Sequence, residues 1–143
     1  MQVMSMELSD YQKQAYVAIQ DHANTKEEEM HWALGLGEEA GEVLGVIKHR
    51  HYGAEFSVTD VVAELGDVMW HVAAICTVFG ISMDDVAQYN VLKLNNRYPE
   101  GKFDMGRSAR RHEIGRRFKG LPETKALMEK INNDYLRKAE ERK

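Results

Sequence analysis

Residues 37–42 read GEEAGE, and residues 63–67 read AELGD. The first sits in a stretch from about Thr25 to Arg50 whose Leu34, Leu44, Val46 and Ile47 recur at helical spacing. The second sits in a stretch from about Ser57 to Phe79, where Val61, Leu65, Val68, Val72, Ile75 and Phe79 form an apolar stripe of the same period. Within each string the acids are three apart, Glu39 with Glu42 and Glu64 with Asp67, so each pair points to one side of its helix. If the two helices form an antiparallel hairpin turning near Gly53, residues whose numbers sum to 106 face each other. Glu39 then meets Asp67, and Glu42 meets Glu64. Four carboxylates among small and apolar residues repel one another and resist burial unless a cation joins them. An oxygen-only set of this kind suits Mg²⁺, with Mn²⁺ as a substitute.

Outward from this hairpin, the remaining pattern predicts an all-α protein built on a four-helix bundle. A first helix is expected over Ser9–His22, with Ser9 and Gln12 as a capping box. Thr25 with Glu28 and Ser57 with Asp60 give the same start signal for the second and third helices. Gly80 ends the third, and a fourth runs from Ser82 to about Arg97. Ala33, Gly37, Gly41 and Gly45 lie four apart on the second helix, a line along which another backbone is expected to approach. Beyond Pro99, the segment Gly106–Gly120 carries Arg107, Arg110, Arg111, Arg116, Arg117 and Lys119 against one acid, Glu113. It reads first as a solvated linker; closure over a bound phosphate chain is the sharper reading. Nucleic acid is an unlikely partner, because only Phe118 among these residues is aromatic. A last helix is expected over about Leu121–Glu141, with Pro122 in its first turn. The chain thus divides into a core of residues 1–105 and a basic, partly helical extension of residues 106–143.

The 143 residues fit one domain of ordinary globular composition, 29% charged and 43% hydrophobic, and the net charge of −4 does not favour bulk nucleic-acid binding. One cysteine, Cys76, excludes an intramolecular disulfide and a cysteine-based zinc site. The apolar run Val72–Ile81 is too short to span a membrane, and the N-terminus carries no apolar signal core. The expected setting is the cytoplasm.

The spacing E-x-x-E, then E-x-x-D on the next helix, resembles the signature of the MazG-like all-α nucleoside triphosphate pyrophosphohydrolases. The doubled acid at Glu38–Glu39 also occurs in members. The segment Asn90-Val-Leu-Lys93-Leu-Asn-Asn-Arg97-Tyr98-Pro99, continuing to Phe103, is similar to the family's N-x-x-K-L-x-x-R-Y-P motif. The likeness covers about residues 28–104. It implies Mg²⁺-dependent cleavage between the α- and β-phosphates of a nucleotide, releasing a monophosphate and pyrophosphate. It also implies assembly as a homodimer or a dimer of dimers.

On that reading Glu39, Glu42, Glu64 and Asp67 hold the metal, and Glu38 is the acid free to accept a proton from the attacking water. Lys93 and Arg97, four apart on one face, suit phosphate contact, with Lys48 a weaker third. Asn90 suits a sugar or phosphate oxygen, and Tyr98 is a secondary contact that also fits helix-end packing. Trp32, two turns before Glu39, is expected to stack on the base, with His31 beside it. Trp70 is expected to pack, and His71 to sit behind the acids. The expected role is nucleotide-pool sanitation or adjustment. A dUTPase-like or phosphoribosyl-ATP-type hydrolase is the alternative chemistry, and a non-catalytic helical interaction module the alternative class.

Overall fold

The computed structural model describes residues 5–16 and 25–141. Among them there are helices and no strand: α1 (Leu8–Tyr16), α2 (Thr25–His51), α3 (Val58–Phe79), α4 (Met83–Arg97), α5 (Met105–Ala109), α6 (Arg111–Lys119) and α7 (Pro122–Glu141). The all-α expectation and the positions of the four core helices agree with this. The chain forms two compact units, residues 1–79 and 80–143. That division falls inside the segment expected to be one core, because α4 packs with α6 and α7.

In the first unit α2 and α3 pair along their length and α1 lies on α3. Gly53, at φ 82°, supplies the left-handed turn after α2. Gly35 fixes how closely the two long helices approach: a Cβ there would overlap Nε2 and Cδ2 of His71. Trp32 clusters with Ala74 one turn further on. Both pairs have numbers that sum to 106, so the hairpin keeps the register in which Glu39 faces Asp67.

One expectation about packing changes here. The stripe Val61, Leu65, Val68, Val72, Ile75 and Phe79 is not the buried face of α3; no member is fully buried, and Leu65 is 46% exposed. The buried set is His71, Ala73, Ala74, Cys76 and Val78. Small residues there let α1 and α2 come close, while larger ones sit at the margins. The line Gly37, Gly41 and Gly45 meets no backbone of its own copy, since a Cβ at each would find nothing within 4 Å. The glycine that a neighbour presses on is Gly35.

The capping pattern at Ser9 is also displaced. α1 starts one residue earlier, and the amide groups of Asp10 and Tyr11 donate to the carbonyl of Glu7. Gln12 instead donates its side-chain amide to Thr77 Oγ1 at 3.3 Å, tying α1 to α3. The end of this expected helix, residues 17–22, lies outside the described residues.

The second unit opens with Gly80, at φ 67°, against which Lys138 of α7 packs so closely that no Cβ would fit. Ser82 caps α4 by accepting from the Asp84 amide at 3.1 Å. Asp85, expected to complete a capping box, is buried and accepts from Lys130 of α7. The bond holds the Lys130 ammonium above its ordinary pKa. The arginine-rich segment is not a linker but α5 and α6. Asp104 caps α5, and Phe118 of α6 is buried edge-on against Tyr89 of α4, ring centres 5.3 Å apart.

Among the described residues α3 is long and apolar enough, by length and composition alone, to cross a membrane. Its first half carries Asp60, Glu64 and Asp67, and its second half is the buried core. The packing of α1 and α2 accounts for its apolar character.

Candidate metal centre on the α2–α3 hairpin

The register brings carboxylates together midway along the two helices. Oxygens of Glu39, Glu64 and Asp67 all lie within 4.8 Å of one another; Glu39 and Glu64 are half-buried and Asp67 is exposed. Glu42 lies outside that triad, yet its charge acts on Glu64 more than that of any other acid. The Glu64 carboxyl is pushed above the usual carboxylate range, first by partial withdrawal from water and then by the charges of Glu42, Asp67, Glu39 and Asp60. Such a cluster favours whatever brings positive charge to it, a proton or a cation. All its donors are carboxylate oxygens, the hard ligands that Mg²⁺, Mn²⁺ and Ca²⁺ accept.

Two neighbours support the acids. His71 Nδ1 lies 3.0 Å from the Asp67 carbonyl, an acceptor, so this nitrogen carries the proton. His71 therefore braces the α3 backbone under Asp67 and packs against Gly35; it does not contact the Asp67 carboxylate through this bond. Tyr11 of α1 is the group that sequence reasoning missed. Its phenol is pushed above its ordinary range, first by burial and then by the negative charge of Asp67. Nothing in its spacing marks it, because the α1–α3 contact that brings it there spans more than fifty residues of chain.

The other expected site residues fall out differently. Trp32 is 2% exposed, with edge-on contacts to Trp70 and His71 at ring-centre distances of 5.2 and 5.5 Å. Its ring faces are taken up by the core, so it offers no platform for a base. The helical spacing from Glu39 is real, but the α2 face it defines points into α3. His31 is exposed, with its ring edge on Trp32 at 4.9 Å. Glu38 is exposed one position round the helix, and is neither in the triad nor among the charges acting on Glu64. Lys48 is exposed in the last turn of α2.

Asn90, Lys93, Arg97 and Tyr98 belong to the second unit, the first three on α4 at helical spacing. Asn90 is exposed and the other three are half-buried. Arg97 Nε is buried without an acceptor among the described residues, and its guanidinium carbon lies 6.0 Å from the Tyr98 ring centre. Tyr98 pairs with Phe103 at 5.5 Å. A cleft between α4 and α7, lined by Val86, Tyr89, Met128, Ile131 and Asn132, holds no charged group and is no phosphate site.

Residues 25–102 match the MazG nucleotide pyrophosphohydrolase domain. The chain belongs to this family. The match takes in the whole α2–α3 hairpin and α4, and ends before the arginine-rich helices. The Gene 37 protein of Mycobacterium phage L5 is 36% identical over 73 residues, which cover 48% of this chain and 64% of that relative, so the chain spans less than two thirds of its length. No solved structure matches. The family is metal-dependent, and the acidic triad lies inside the matched region.

Proposed function

We propose that the protein hydrolyses (deoxy)nucleoside triphosphates to a monophosphate and pyrophosphate in a Mg²⁺-dependent reaction. The observation that carries this is the convergence of Glu39, Glu64 and Asp67 within 4.8 Å, inside the segment that matches the family. These three, with Glu42 beside Glu64, would hold the cation. A divalent ion bound there would neutralise phosphate charge and lower the pKa of a bound water. The charges of Glu42, Asp67 and Glu39 crowd Glu64, and a cation would relieve that repulsion. His71 keeps Asp67 in place from behind. Glu38, outside the triad, is free to take the proton of the attacking water. Lys93 and Arg97 are the phosphate-binding cations, the unmet Arg97 Nε–H being a donor in want of an anion. Asn90 contacts a sugar or phosphate oxygen. With Trp32 in the core, base contact falls to His31, the exposed ring on the same turn.

A second copy of the chain completes the site. Met30, Leu34, Leu44 and Ile47 on α2, and Val58, Val62, Leu65 and Met69 on α3, are each at least 41% exposed. Isolated exposed apolar residues are ordinary; two such rows on one hairpin mark a contact surface. Covering it excludes water from beside the acids.

The test is pyrophosphate release from each of the four dNTPs, with and without Mg²⁺. Wild-type protein releases pyrophosphate only with the metal. Asp67→Asn and Glu42→Gln retain less than a tenth of that rate while keeping their helical circular dichroism. Glu38→Gln lowers kcat and leaves Mg²⁺ affinity unchanged. Metal-independent release, or full activity in Asp67→Asn, overturns the reading.

A further inference from the structure

The arginine-rich segment lies beyond the family match, and none of the chemistry above uses it. Residues 1–79 carry four Lys and Arg against thirteen Asp and Glu, whereas residues 80–143 carry fifteen against ten. A mildly acidic chain thus contains a strongly basic part, and its excess charge is concentrated on α5 and α6.

On α6, at 100° per residue, His112, Arg116 and Lys119 lie within about 60° of one another, and Arg111 stands at the edge of that face, about 80° from Lys119. All four are exposed. The nearby acids are used elsewhere: Glu113 pairs with Arg117 at 2.8 Å on the flank, and Asp104 caps the α5 amide of Arg107. Among the described residues Arg111, Arg116 and Lys119 form no ion pair. Gly115 sits between them, where a Cβ would meet nothing within 4 Å, so a ligand can approach the helix backbone closely. Phe118, on the same side as Arg111 and about 100° from Lys119 in this projection, is buried and fixes the helix. The cations therefore stand on an anchored helix.

The scarcity of aromatics that counted against nucleic acid bears on single strands and not on a duplex; we infer that this face of α6 docks the phosphate backbone of duplex DNA. The cations run from residue 111 to residue 119, about 12 Å of helix axis. A single triphosphate is too compact to engage all of them, whereas duplex DNA presents one charge per about 1.7 Å of its axis. Guanidinium forks suit phosphate oxygens, and arginine outnumbers lysine here. The apolar side of α6 is already spent on Phe118 and Ile114, which leaves no amphipathic face for a membrane. No exposed aromatic shares the face, so it lacks the stacking platform that single strands use. The same absence makes the contact independent of sequence.

Fluorescence anisotropy with a labelled duplex of roughly 20 base pairs tests this on the full chain. Binding at 50 mM salt should weaken roughly forty-fold by 200 mM, from three phosphate contacts at a slope of about −0.9 each. The variant R111Q/R116Q/K119Q should lose binding at least tenfold, with its Tm and its pyrophosphate release from dNTPs unchanged. R111K/R116K should retain binding, because it keeps the charge. No binding at 50 mM salt, or equal binding by the glutamine variant, overturns the inference. So does tighter binding of a single strand, or of poly-glutamate at equal charge, which would point to a different polymer or an acidic protein. A raised KM for dNTPs in the glutamine variant, with duplex binding intact, would instead assign the face to substrate.

Discussion

The two units of this chain bury themselves in different ways. In residues 80–143 the elements are fastened by specific contacts: Phe118 on Tyr89, Lys138 on Gly80, and the Asp85–Lys130 ion pair between segments 45 residues apart. In residues 1–79 the buried set gathers at one end, around Trp32, His71, Ala74 and Val78. The α3 stretch that carries the acids has no fully buried residue from Val58 to Trp70, and the hairpin exposes an apolar row on each helix. A hairpin packed this thinly puts chemistry where stability is lowest. Acids held close need rigid backing, and within one copy it comes from the packed end of the helix pair.

The largest effect expected is at the packed end. Trp32→Ala should lower stability by about 3–5 kcal/mol, the usual loss for a large buried aromatic. It should do so by opening the α2–α3 hairpin, so thermal unfolding is the measurement. A variant of normal Tm with a raised KM for every dNTP would show that the ring serves the substrate after all.

Along the exposed apolar rows the expected loss is in assembly. Val62→Glu and Leu34→Glu change residues 64% and 66% exposed in one copy. On a free surface such changes stay within about 0.5 kcal/mol. Under a second copy they bury an unpaired charge, at a cost of about 1–3 kcal/mol or more. Light scattering at micromolar concentration should show a homodimer or tetramer for the wild type and a smaller species for the variants. A wild-type monomer would leave the apolar rows without this explanation.

The two kinds of glycine on α2 give a finer comparison. Gly35→Ala should destabilise by about 1–3 kcal/mol, because the new methyl overlaps the buried His71 ring. Gly41→Ala meets nothing in one copy. In a monomer it should therefore stabilise the helix by up to about 1 kcal/mol. In the assembled protein the gain should shrink as the methyl meets the partner's surface. Denaturant midpoints of the two variants, taken at several protein concentrations, decide between these outcomes.

What could be read from the sequence follows from which forces are local. The helix starts at Thr25 and near Ser57 and Ser82 were legible because caps and glycine stops act within one turn. The hairpin register was legible because two E-x-x-[ED] pairs permit few alignments. The side of a helix on which a residue lies follows from its number, but what covers that side does not. Trp32 and Leu65 were misread for that reason. The basic helices were illegible because only Ile114 and Phe118 mark an apolar face on α6, too few for a periodic signal, yet one buried ring against Tyr89 suffices to dock it.

The smallest effect expected separates packing from charge at the acid cluster itself. Glu64 is raised above its ordinary carboxylate pKa in the folded protein, by partial desolvation and by Glu42, Asp67, Glu39 and Asp60. The folded state therefore holds this proton more tightly than the unfolded chain. Its contribution is favourable below the free carboxylate range, and is lost as pH rises through the folded value. Stability from this group should thus fall between about pH 4 and neutral pH, the reverse of a carboxylate in a salt bridge. Glu64→Gln removes the penalty, so its Tm should exceed the wild type's at pH 7 without added metal, and the two should converge near pH 4. Mg²⁺ should raise the wild-type Tm at pH 7 by mass action and leave Glu64→Gln almost unmoved. A Tm difference that widens as pH falls would mean that Glu64 is stabilised by its neighbours, and that the α2–α3 acids are not a cluster under mutual repulsion.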